Sequence, residues 1–200
     1  MALSLKPEPS LDRSNPTVGT VPEEREWIER ARAGDVRAFR RLVERHGDRA
    51  YGLAFRMLGS AQEAEEVAQD AFVRAWRALP AFRGESTFTT WLYRIVVRRA
   101  LDRSATLKSR RARETSLEEV KGHDWEALQP EPAGSAELSR RLERLLETLS
   151  DVQRAVVILY YYEDRSVDEV AGALGIPEGT VKTHLHRARA LLREGWMNER

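Results

Sequence analysis

Apolar residues along this chain recur at three- and four-residue intervals and nowhere alternate over a useful length. The pattern therefore predicts helices and no strands. Trp27, Ile28 and Ala31 share one side of a helix that starts near Glu23 and is interrupted at Gly34 and Asp35. Phe39, Leu42, Val43 and His46 mark a second helix, which Gly47 breaks. Tyr51, Ala54, Phe55 and Leu58 mark a third, ended by Gly59. Ser60 and Glu63 form a capping box that opens the longest clean helix, SAQEAEEVAQDAFVRAWRAL. Its buried stripe is Ala64, Val67, Ala68, Ala71, Phe72 and Ala75. Pro80 and Gly84 punctuate a loop, and then Phe88, Trp91, Leu92 and Ile95 fall at i, i+3, i+4 and i+7 of the next helix.

Period is lost from 107 to 135, a stretch ending in QPEPAGS that reads as a linker. Beyond it, Leu138, Leu142, Leu145, Leu146 and Leu149 mark a helix, and Ser150 with Gln153 caps the next, striped by Val152, Ala155, Val156 and Leu159. Residues 1–22 carry four prolines without periodicity and read as a disordered tail. The expected architecture is all-α: a tail over 1–22, a helical domain over 23–106, a linker over 107–135 and a second helical domain over 136–195.

The most specific stretch runs from Ser166 to Arg193. Ser166 and Glu169 form an S-x-x-E box, and Val167, Val170, Ala171 and Leu174 give a buried stripe. Gly175 suits a left-handed C-terminal stop, and Pro177 sits well near a new helix start. Val181, Leu185, Ala188 and Leu192 mark the buried side of that second helix, and Lys182, Thr183, His186, Arg187 and Arg189 its outer side. Two short helices, a glycine turn and a basic second helix make a helix-turn-helix, whose second helix the DNA major groove admits. The plainer alternative is a helical hairpin with a solvated basic face.

Composition changes the picture in two places. Hydrophobic residues make up 42% and charged residues 32%, enough for real cores with solvated faces, while the net charge of +1 announces no partner. Charge is segregated, however. Residues 94–113 hold eight Lys/Arg against Asp102 alone, 114–137 are acidic, and 61–70 hold four acids and no base. Distinct surfaces for distinct partners follow. Arg94 with Arg98, and Arg99 with Arg103, lie one helical turn apart beside aromatic residues, a combination able to hold single-stranded nucleic acid by stacking and phosphate pairing. Trp91 falls on the apolar stripe and reads as core, whereas Phe82, in the loop, is the freer aromatic. The chain has no cysteine, which removes disulfide and thiolate chemistry. It has no apolar run of about 20 residues and no apolar signal core, so membrane insertion is not expected and a cytoplasmic location is.

Two blocks resemble a known family. EAEEVAQDAFVRAW followed by FRGESTFTTWLYRIVVRRALDR is similar to region 2, and LSDVQRAVVILYYYEDRSVDEVAGALGIPEGTVKTHLHRARALLR to region 4, of bacterial RNA polymerase sigma factors of the small extracytoplasmic-function (ECF) class. The resemblance implies a transcription initiation factor that binds core RNA polymerase, through its β′ and β subunits, and recognises −10 and −35 promoter elements. It implies control of a stress or envelope regulon under an anti-sigma factor. By position, Glu65, Glu66, Gln69 and Asp70 correspond to the surface that grips a coiled coil of β′. Phe82, Arg83, Ser86, Arg94, Arg98, Arg99 and Arg103 correspond to the part that captures the melted non-template strand of the −10 element. Thr180, Lys182, Thr183, His184, His186 and Arg187 correspond to the reader of duplex −35 DNA. Arg98 stands where many members have Asn, and His184 where Arg is common.

The competing reading is a stand-alone helix-turn-helix regulator with a helical effector domain, which leaves the blocks around Ala64–Trp76 and Phe82–Arg103 without a role. An enzyme is not expected. His184 and His186 lie two apart and face different sides of a helix, so they make no i, i+4 metal pair, and no phosphate loop or nucleophile motif appears. No cofactor, catalytic residue or metal ligand is assigned.

Overall fold

The computed structural model describes residues 22–114 and 141–198, and every regular element among them is helical. Four helices form the first half: α1 (Pro22–Arg32), α2 (Val36–Leu58), α3 (Ala61–Ala78) and α4 (Phe88–Glu114), with a 3₁₀ turn at Leu79–Ala81 before the loop to α4. The second half holds α5 (residues 141–147), α6 (Asp151–Val157), a π turn (Ile158–Tyr162), α7 (Val167–Leu174) and α8 (Glu178–Asn198). The tail over 1–21, most of the expected linker (115–135) and residues 136–140, including Leu138, lie outside the described residues. No helix among the described residues is long and apolar enough to cross a membrane.

Two boundaries differ from the sequence expectation. Gly47 does not divide a second helix from a third, because α2 is continuous from Val36 to Leu58. An interior glycine costs only about 1 kcal/mol relative to alanine. The stripe Ala38, Leu42, His46, Ala50, Leu53 and Ala54 stays in phase across it and is buried throughout. The real stops are Asp35, whose carboxylate accepts from the Arg37 and Ala38 amides at 2.8 and 3.2 Å, and Gly59, which is left-handed at φ 67°. Likewise α4 runs on to Glu114, so the first eight positions read as linker are helical. Ala105, Thr106 and 108–113 are exposed, and a helix turn with no buried side leaves no period in the sequence. Its Ala, Leu, Lys and Arg are strong helix formers.

In the first half α2 packs against α1, α3 and α4, and α3 against α4. Leu42, Leu53, Phe55, Phe88, Leu92 and Val96 are fully enclosed. This core does not stop at the domain boundary. Ala155, Val156, Ile158, Leu159, Val170, Val181 and Leu185 of the second half belong to the same buried cluster. A smaller cluster of Leu146, Leu149, Val157 and Ala188 ties α5 to α6 and α8.

Candidate nucleic-acid interface

The helix-turn-helix is built as its sequence requires. Ser166 Oγ accepts from the Glu169 amide at 3.2 Å while the Glu169 carboxylate accepts from the Ser166 amide at 2.9 Å, so α7 starts with a complete capping box. Gly175 ends it at φ 67°. The Pro177 carbonyl accepts from the Thr180 and Val181 amides, which opens α8. Val181, Leu185 and Ala188 are buried, and the helical period turns Lys182, Thr183, His186 and Arg187 outward, where all four are exposed. Lys182 pairs with Glu178 one turn back at 3.5 Å, and the Thr183 hydroxyl donates to the Gly179 carbonyl at 2.9 Å. Thr180 and His184 are half-buried at the edge of this face.

On α3, Glu65, Glu66 and Gln69 are exposed, and Gln69 Nε2 donates to Glu65 at 3.1 Å. Ser60 caps α3 through the Glu63 amide, but the reciprocal half of that capping box is not made, because the Glu63 carboxylate takes the Arg103 guanidinium instead. Arg103 also reaches Glu66 at 2.9 Å. Asp70 accepts from Arg74 at 2.9 Å and from Arg99 at 2.5 Å. Burial works against the charge of Asp70, yet the two guanidinium groups outweigh it and hold the carboxyl below its usual range.

The seven residues expected at the melted strand therefore separate. Arg94 and Arg98 are exposed on α4, and Arg83 is exposed on the loop. Arg99 and Arg103 turn toward the acids of α3. Ser86 is half-buried and donates to the Thr87 carbonyl at 3.4 Å. Phe82, read as the freer aromatic, is only 8% exposed, with its ring 5.0 Å from Trp91 and 6.3 Å from Phe88. Trp91, read as core, is the half-buried member of that group. The loop folds back over its own aromatic side chain, and a composition of Pro, Gly and polar residues gives no sign of that.

Sequence reasoning missed two residues of α4. Thr90 is 3% exposed and Tyr93 is 1% exposed. The Thr90 hydroxyl donates to Glu169 at 2.9 Å, and the Tyr93 hydroxyl to Glu163 at 2.6 Å. Burial, followed by the Glu163 carboxylate, pushes the Tyr93 phenol well above its ordinary value. Both positions flank the apolar stripe, and that flanking place was their only signal.

Residues 42–112 match the family described as Sigma-70 region 2, and residues 139–192 the family described as Sigma-70, region 4. The chain is similar to the ECF RNA polymerase sigma factor SigW of Bacillus subtilis, 36% identical over 174 residues that cover 84% of this chain and 93% of the relative. It is 33% identical to the ECF RNA polymerase sigma-E factor of Escherichia coli over 170 residues, covering 81% and 88%. Among solved structures, CnrH in complex with the cytosolic domain of CnrY superposes with a TM-score of 0.64 at 28% identity, covering 89% of this chain and 99% of that one.

Proposed function

The chain belongs to the extracytoplasmic-function class of RNA polymerase sigma factors, and from that membership we propose a division of labour among three of its surfaces. A sigma factor binds core polymerase and directs promoter recognition, DNA melting and transcription initiation; it carries no catalysis of its own. The stand-alone regulator reading falls, because region 2 accounts for the first half.

In this reading Glu65, Glu66, Gln69 and Asp70 meet a basic coiled coil of the β′ subunit, where complementary charge speeds encounter and sets orientation. Arg94 and Arg98, with Arg83 of the loop, lie along the phosphates of the melted non-template strand, and half-buried Trp91 offers the ring edge for an unstacked base. Arg99 and Arg103 hold α4 against α3 through the acids that pair with them. Lys182, Thr183, His186 and Arg187, with Thr180 and His184 at the rim, enter the major groove of the −35 element. The observation that carries the assignment is α8, whose Val181, Leu185 and Ala188 are spent on packing while four polar side chains project from the other side. An anti-sigma protein is the further partner in this reading; RpoE of Bartonella quintana, a relative in fold, was solved with the anti-sigma factor NepR.

Run-off transcription tests the reading. Purified protein, bacterial core polymerase and a pool of genomic promoter fragments should yield new start sites that share paired upstream elements. No transcripts, together with no polymerase complex on a sizing column, would sink it.

A further inference from the structure

The arginines read as facing the melted strand differ in what already holds them. Arg99 is taken by Asp70 and Asp102, at 2.5 and 3.0 Å, and Arg103 by Glu63 and Glu66. Arg83 of the loop is 4.0 Å from Glu85. Arg94 lies against Gly172 of α7, where an added Cβ would stand 2.5 Å from its guanidinium. Arg98 is exposed, and no group among the described residues makes a hydrogen bond or ion pair with it. Half-buried Ile95 and Leu101, one turn before it and one turn after, offer no acceptor, and Asp102 is spent on Arg99.

Its place on the helix matters as much as its freedom. Arg98 follows Trp91 by seven residues, two turns less about 20°, so the two share one line along α4 with about 10 Å between them. Trp91 is the fixed end of that line, its ring centre 5.0 Å from Phe82 and 5.6 Å from Phe88. A base stacked on the open edge of this ring brings the bases of the strand along the line, with the phosphates to one side. Arg94 lies about 40° round the helix from Arg98, on the side where the backbone then runs.

We propose that Arg98 reads a base: at one position of the melted strand its guanidinium selects a base that presents two adjacent hydrogen-bond acceptors. The guanidinium is a planar fork of N–H donors with no acceptor of its own. Guanine presents O6 and N7 side by side. Cytosine, once unpaired, presents O2 and N3 in the same way. Adenine and thymine set an N–H next to each acceptor on their hydrogen-bonding edges, and that N–H would meet another N–H. A G or C within the melted element makes the duplex harder to open, and a contact made only after melting offsets that cost. The proposal rests on the reading of α4 as the strand-binding helix, and gives Arg98 alone a base in place of a phosphate.

The test uses the full chain bound to core polymerase and a single-stranded DNA library randomised along its length. Retained strands are sequenced, and fluorescent oligonucleotides with each of the four bases at the selected position then give affinities. The unaltered protein should prefer G, C or both over A and T at one position by about tenfold, and the affinities distinguish guanine from cytosine. Arg98→Ala should remove that preference. Arg98→Lys should keep the salt dependence, because the charge remains, yet lose the preference with the planar fork. Arg98→Asn, an amide with one donor beside one acceptor, should move the preference toward adenine. Because Arg98 is exposed, all three variants should melt with the unaltered protein. An equal loss for all four bases in Arg98→Ala makes Arg98 a phosphate contact and overturns base reading, while the strand-binding reading stands. A preference that Arg98→Lys retains, or none in the unaltered protein, overturns it in the same way. Strand affinity that Arg83→Ala, Arg94→Ala and Arg98→Ala together leave unchanged overturns the reading of α4 itself, and base reading with it.

Discussion

Asp70 and Arg99, 29 positions apart, meet at 2.5 Å across α3 and α4. The carboxylate assigned to polymerase thus fastens the helix assigned to the promoter strand. Both side chains are about one-third exposed, so the pair is a modest contributor to stability, on the order of 1 kcal/mol or less. Its consequence is geometric, because it fixes how the acidic face and the basic helix are presented together.

Asp70→Arg should therefore separate binding from folding. The substitution puts a cation where a basic partner docks and beside Arg74 and Arg99. Core polymerase affinity, measured by a titration of labelled protein, should fall about tenfold or more. The melting temperature should move by only a few degrees, and the α8 face should still bind −35 duplex.

Lys182→Ala with Arg187→Ala removes two cations from the exposed side of α8 and leaves Val181, Leu185 and Ala188 packed. Duplex affinity should fall roughly 10- to 100-fold, and the salt dependence of binding should flatten by about two ions released. Polymerase binding should persist. Unchanged promoter use by this double variant would refute the recognition-helix assignment.

Acid stability should depend on Glu24, which is buried in α1 and accepts from His46 Nε2 of α2 at 2.8 Å. The His46 hydrogen bond, opposed by burial and aided by the charges of His46 and Arg45, holds the carboxyl below its usual range. A depressed carboxyl contributes stability that is full above the unfolded value of about 4.3 and is lost as pH falls through the folded one. Thermal unfolding of the unaltered protein should weaken steadily from about pH 5 downward. Glu24→Gln should lower stability at pH 7, by about 1.5–3 kcal/mol, and flatten that acid limb.

Arg154 donates to the Leu146 and Glu147 carbonyls at 2.9 and 3.1 Å, and to the Met57 carbonyl of α2 at 2.9 Å. Arg154→Met keeps length and apolar bulk but leaves three carbonyls without their donor. Urea unfolding should show a loss of about 2–4 kcal/mol. Arg154→Lys should recover little of it, because one ammonium on a flexible stem cannot reproduce a planar fork that spans two helix ends.

Much of the fold can be read along the chain. The stripe Ala64, Val67, Ala68, Ala71, Phe72 and Ala75 is buried as its spacing predicts, and both the Ser150–Gln153 and Ser166–Glu169 boxes are complete. Gly47 and residues 107–114 misled for opposite reasons. A glycine breaks a helix only when packing does not hold it, and a helix without a buried face has no stripe to announce it.

Sequence alone determined the buried stripes of most helices, the capping boxes of α6 and α7, the outward basic face of α8 and the two family blocks, because each follows from neighbours within a turn or two. Tertiary structure alone decided which polar groups are free. Arg99 and Arg103 look in sequence like two more strand-facing cations, yet the acids that claim them lie 29 to 40 positions away. Thr90 and Tyr93 look like solvent flanks until α7 and the π turn cover them, and Phe82 looks free until its loop folds over it. A side chain's period reports the burial of its own helix; its partners depend on which other helix arrives beside it, and no spacing within one helix encodes that.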